Sequence, residues 1–153
     1  MSTLASDAPA ADSWRDDLRL GFAPMDEVHA DFLKAVDALV CAVGDDVPAA
    51  LAEVERHTRE HFEMEERWMS ETAFPARDCH ADEHAAVLAS VVGVGERVAK
   101  GEYEVARFLG EALLEWFPGH ADYMDAALAH WMCKLRYGGK PVVLRRRSVA
   151  EPT

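Results

Sequence analysis

Residues 51–68 read LAEVERHTREHFEMEERW. Leu51, Val54, Thr58, His61, Glu65 and Trp68 alternate steps of three and four, which lines them along one face of an α-helix. Asp45, Asp46 and Pro48 supply start signals for that helix, and the segment Thr72 to Pro75 breaks its pattern. The face that a helix of this kind buries therefore carries an imidazole and a carboxylate. Burying either without a partner is costly, so His61 and Glu65 require matching groups on neighbouring helices.

The helical period recurs on both sides of this stretch. After an irregular lead-in from Trp14 to Ala23, Pro24 suits a first turn, and a helix from about Met25 to Val43 carries Val28, Phe32, Val36, Leu39 and Val43, with His29 at the stripe's edge and Gly44 as its stop. Asp78 is expected to cap a third helix, where His80, His84, Val87, Val91, Val94 and Val98 step by four and three until Gly101. A fourth carries Val105, Leu109, Ala112, Trp116 and His120 on to about Leu135, with Pro118 and Gly119 interrupting it. Neither strand-like alternation nor a repeat of fixed period is found. Four helices joined by short connections predict an all-α fold, an antiparallel up-down-up-down four-helix bundle over 14–137. Residues 1–13 are expected to be a disordered N-terminal arm. Residues 138–153 are expected to form a short flexible C-terminal tail made basic by Arg145, Arg146 and Arg147.

Composition narrows the function classes. A chain of 153 residues favours one domain, and 50% hydrophobic with 29% charged residues can bury a core. The longest low-charge run, Ala85 to Gly95, is too short to span a bilayer, and residues 1–13 lack the basic and apolar regions of a secretory signal. No membrane insertion, a cytoplasmic location and a monomer are expected. Acidic residues outnumber basic ones by 28 to 16, giving a formal charge of −12 that repels phosphate backbones and disfavours nucleic acid as a partner. Cys41, Cys79 and Cys133 are odd in number with no CxxC pair, which fits thiols in a reducing compartment.

Four helices each bring polar groups to or near the core stripe: His29 from the first, His61 and Glu65 from the second, His80 and His84 from the third, His120 and Asp125 from the fourth. Any one of them could be satisfied by a carbonyl or a carboxylate next door. Their concurrence favours a shared metal centre, and seven ligands exceed the four of a structural zinc site. No His-Glu-x-x-His motif is present, nor the Glu-x-x-His of carboxylate-rich ferritin-like centres. The count suits two ions. His120 and Asp125 are five apart, about 140° around an ideal helix, so a local bulge or a long side-chain reach is needed to bring them together. His57 reads as a partly exposed helix histidine, and His130 as a surface one.

Longer motifs run through these residues. Trp14 and Gly21 precede Met25-Asp26-Glu27-Val28-His29; His61-Phe62-Glu63-Met64-Glu65-Glu66-Arg67-Trp68-Met69 fits HFxxEExxM; Phe74-Pro75 leads to His80-Ala81-Asp82-Glu83-His84; and Trp116 leads to His120 and Asp125. In this order and spacing the chain resembles the hemerythrin family. The resemblance implies two Fe ions joined by an oxo or hydroxo bridge, one held by His80, His84 and His120, the other by His29 and His61, with Glu65 and Asp125 bridging. It also implies O2 as a ligand on the second ion, in a pocket for which Phe62, Trp116 and Phe117 are the candidates. At the Phe117 and Ala121 positions the family more often has a branched aliphatic residue and Ile. The implied function is reversible O2 binding for storage, delivery or sensing, without catalysis, with an electron donor or an oxygen-consuming enzyme as a partner. Two alternatives stay open: a di-iron redox enzyme reducing peroxide or nitric oxide, and an oxygen-sensing interaction module.

Overall fold

A computed structural model describes residues 16–138. Trp14, the arm 1–13 and the arginines Arg145, Arg146 and Arg147 lie outside the described residues. Helix α1 spans Ala23–Cys41, α2 Val47–Glu71, α3 Arg77–Ala99, α4 Glu104–His120 and α5 Ala126–Tyr137, with a single π-helical turn, Ala121–Asp125, joining the last two into one long rod. Among the described residues there is no strand, and no helix is long and apolar enough to cross a membrane.

Each long helix packs against the next, and α4 closes the ring against α1. Two apolar clusters fix the directions. One contains Phe32, Val36 and Leu39 of α1, Leu51 and Val54 of α2, Val91 and Val98 of α3, and Leu109, Leu113 and Phe117 of α4. The other contains Phe22 and Met25 before and at the start of α1, Trp68 and Met69 near the end of α2, and Leu128, Met132 and Cys133 of α5. The chain thus runs from the second cluster to the first along α1, back along α2, towards the first again along α3 and back along α4 and α5, as the up-down-up-down reading expects. His29, His61, His80, His84, His120, Glu65 and Asp125 form a buried polar layer between the clusters.

Local chemistry sets the boundaries, and four expectations are corrected. The first helix ends at Cys41 rather than Val43, because Gly44 adopts a left-handed φ of 55° and opens a 3-10 turn, Gly44–Asp46. Val43 accordingly stands 74% exposed instead of in the core. Asp78 does not cap α3; it lies in the first turn, where its charge favours the helix N-terminus. Pro118 sits inside α4 without ending it, and the distortion falls just after it in the π turn. On α4 the buried face is Ala106, Leu109, Gly110, Leu113, Phe117 and His120, so Ala112 is exposed and Trp116 is only half-buried. At Gly110 α4 lies close against α1, since a Cβ there would lie 2.7 Å from Val40 Cγ2. Ahead of α1, Asp26 accepts from the backbone N–H of Leu20 at 2.8 Å and of Gly21 at 3.1 Å, tying the lead-in to the bundle.

Candidate metal centre

The second, third and fourth rods bring their ligands together by helical spacing, and the π turn supplies the exception. Its i→i+5 closure brings residues five apart onto one face, and His120 Nε2 lies 3.0 Å from Asp125 Oδ1. Of the two ways to bring the pair together, a bulge and a long reach, the chain takes the bulge.

Seven side chains converge with a division of labour. Glu65 turns Oε1 to His80 Nε2 at 3.2 Å and His84 Nε2 at 3.3 Å, and Oε2 to His29 Nε2 at 3.1 Å and His61 Nε2 at 2.6 Å. Asp125 does likewise, with Oδ1 towards His80 at 3.0 Å and His120, and Oδ2 towards His29 at 3.1 Å. The atoms fall into two overlapping groups that could each hold a metal ion. One comprises Glu65, His80, His84, His120 and Asp125, and the other His29, His61, Glu65 and Asp125.

Two of these contacts, those of Glu65 Oε2 with His29 Nε2 and His61 Nε2, are hydrogen bonds, and the others are proximity alone. His80 Nε2, Glu65 Oε1 and both Asp125 oxygens are buried and have no hydrogen-bond partner. Donor atoms about 3 Å apart that do not address one another converge on common points, which cations between them would satisfy. Imidazole and carboxylate together suit iron among other transition metals, so the residues present fit the group that the motifs imply.

Charge is arranged accordingly. Burial opposes a proton on His29, yet Asp125 and Glu65 outweigh it and push the group up to about 10. The same contest, against Asp125 and Glu65, lifts His80 to about 9. His84 is pushed down by burial, with His80 and His120 adding to the effect. Burial would raise Glu65, but His61, His29 and His80 hold it well below the usual carboxylate range. Asp125 is also lowered, by His29 and His120, against burial and the charge of Glu65. Protons on His29 and His80 thus balance two carboxylates, a role that cations would take over.

Aromatic rings wall the layer. Phe62 stacks on His84 with centroids 3.9 Å apart and also lies 5.1 Å from His61. Trp116 stacks on His120 at 4.4 Å, on the three-histidine side. Phe117 is fully buried, edge-on to His29 at 5.0 Å. Phe32, 5.5 Å from both His61 and Phe117, joins this wall. Its place three residues beyond His29 was the available signal for that role. A cleft of about 760 Å³, lined by Leu18, Arg19, Ala30, Leu33 and Lys34, reaches His29 from the surface.

Glu83 also belongs to the site, although spacing had not singled it out. Its Oε1 accepts from Trp116 Nε1 and stands 2.9 Å from His120 Nδ1, the same distance as from the indole nitrogen. Trp116 and His120 share a helix face and each offers a ring N–H, so an acceptor on the facing helix could have been sought. Burial tends to raise the Glu83 carboxyl, and the contacts from His120 and Trp116 prevail to lower it. His57 stays outside the cluster, 3.1 Å from Arg56 Nη2 and 3.6 Å from Glu53, and His130 is exposed.

A bacteriohemerythrin of Ralstonia nicotianae is 37% identical over 121 residues, covering 79% of this chain and 88% of the relative. A bacteriohemerythrin of Stenotrophomonas maltophilia is 28% identical over 120 residues, covering 76% of this chain and 78% of its own. No family model matches the chain. No solved structure matches it. Identity of 37% across most of both chains places the protein in the bacteriohemerythrin family, and the polar layer between its apolar clusters is the part of the fold on which that membership bears.

Proposed function

We propose that this chain binds O2 reversibly at a non-haem di-iron centre for oxygen storage, delivery or sensing. The observation that carries the reading is the unequal division of ligands. Both carboxylates are shared between a group with three histidines and a group with two, so the two-histidine ion would have one protein ligand fewer. An oxo or hydroxo bridge would complete six ligands on one side and five on the other. The iron pair, when bound, supplies two electrons to the gas, one from each ion.

The chain's own residues do the rest. His29 and His61 would hold the ion with fewer protein ligands, and the cleft that His29 helps to line gives a small molecule an approach. Phe117, Phe32 and Phe62 surround that side with apolar surface that excludes water, which protects a reactive adduct from protons. Trp116 extends the apolar wall over His120. Neutral imidazoles outnumber carboxylates five to two, which limits the negative charge that would favour permanent oxidation. We place the protein in the cytoplasm as a monomer, a location that fits its free thiols Cys41, Cys79 and Cys133.

The test is the optical spectrum of anaerobically reduced protein before and after air, together with metal analysis. About two irons per chain without haem are expected from the shared ligand set, with a band that appears in air and vanishes when oxygen is removed. One zinc per chain with no iron, after expression with ample iron, would sink the reading. So would bleaching in air that deoxygenation does not reverse, and steady consumption of oxygen or peroxide with an electron donor would make the protein an enzyme.

A further inference from the structure

Among the five histidines of the polar layer, only His120 has a hydrogen-bond partner on its second ring nitrogen; His84 Nδ1 has no more than the Glu66 carboxylate at 4.0 Å. The Nδ1 atoms of His29, His61, His80 and His84 are buried without a hydrogen bond. His120 Nδ1 lies 2.9 Å from Glu83 Oε1, and the same oxygen accepts the Trp116 indole N–H at 2.9 Å while that indole stacks on the His120 ring. Glu83 comes from α3, next to His84, whereas Trp116 and His120 come from α4. One carboxylate therefore clamps two helices that supply the three-histidine group.

The position of the clamp matters. His120 is the last residue of α4, where backbone hydrogen bonding changes from the α to the π register. A ring at such a junction needs another restraint to hold its direction. Binding a metal through Nε2 also requires the proton to reside on Nδ1, and an acceptor at Nδ1 selects that tautomer.

We propose that Glu83 is a positioning residue that orients His120 and thereby sets the affinity of the three-histidine ion independently of its neighbour. This rests on the two-ion reading. The carboxylate makes no contact with the ion; it acts through the His120 ring. Trp116 blocks the rotation that would carry the ring away.

The experiment uses the full chain, stripped with a chelator and titrated anaerobically with Co(II) against a chromophoric competitor. The unaltered chain should take up two cobalt ions. Glu83→Leu should weaken one of them about 10- to 100-fold and leave the other within about threefold. In a His29→Ala background, which retains only the three-histidine site, the ion that remains should be the one that Glu83→Leu weakens. Glu83→Gln keeps an acceptor and should hold both ions within about fivefold of the unaltered chain. Should Glu83→Leu fail to fold, Glu83→Ser is too short to reach His120 and is expected to show the same selective loss. Both ions weakened alike would show a merely structural role. Both unchanged, or Gln as damaging as Leu, would also overturn the proposal. Failure of the unaltered chain to take up two ions would overturn the two-ion reading itself.

Discussion

Glu65 faces both histidine groups because its two oxygens point to opposite sides of the polar layer, and no imidazole can do the same with a single Nε2. Removing it should therefore affect both ions, whereas His57, only four residues earlier, lies among Arg56 and Glu53 outside the cluster. Glu65→Ala is expected to lose most bound metal and His57→Ala almost none, as measured by metal analysis after desalting; equal retention would remove Glu65 from the ligand set. Phe117 poses a different question, since it touches His29 and Phe32 but is no ligand. Truncating it opens the apolar wall over the two-histidine side and admits water. Phe117→Ala should still give an oxygenated form, but one whose absorption band decays several-fold faster after oxygen is admitted. An unchanged decay rate would place the ring outside the gas pocket.

At the scale of elements, what could be read from the chain was decided by how each stripe is written. On α2 the apolar and polar core positions are separated by charged residues, so Leu51 to Trp68 could be assigned without ambiguity, and all six are buried. On α4 the apolar residues come in adjacent pairs, Leu113-Leu114 and Trp116-Phe117. A stripe displaced by one residue fits that pattern equally well, and the expected stripe was displaced in this way at Ala112 and Trp116. That His120 and Asp125 need either a bulge or a long side-chain reach was legible from their spacing, but the π turn that meets the need was not, because it depends on how two helix segments dock on separate apolar clusters. Glycines on these elements divide by environment. A Cβ at Gly95 meets nothing within 4 Å, so Gly95→Ala should gain about 0.5–1 kcal/mol from helix propensity. At Gly110 the same gain is opposed by the contact with Val40 Cγ2, and overpacking typically costs about 1–3 kcal/mol. Thermal unfolding should show Gly95→Ala raising Tm and Gly110→Ala lowering it. A rise in both would mean that α1 and α4 have room between them.

For the whole molecule, metal and stability are linked through protons. With the metal stripped, the fold keeps protons on His29, raised to about 10, and on His80, raised to about 9, whereas an unfolded chain releases them near 6.5. A base raised on folding contributes stability that is fully present below its unfolded value and is lost as pH climbs through its folded value. The stripped protein should therefore weaken progressively from about pH 6.5 to about pH 10. Glu65 and Asp125 act in the opposite direction, since both are lowered on folding, and their contribution fades as pH falls below the ordinary carboxylate range. Loaded protein holds its imidazoles neutral, so it has no such proton to lose on the alkaline side. It also carries the same acidic surface, which makes it the control for general charge repulsion at high pH. Tm measured between pH 6.5 and pH 10 should fall for stripped protein and stay nearly level for loaded protein. Loading near neutral pH should release about two protons per chain from His29 and His80, and about one more where a hydroxo bridge forms from water, readable by calorimetry in buffers of different ionisation enthalpy. A stripped protein whose Tm ignores this pH window would show that the protons on His29 and His80 do not stand in for the metal.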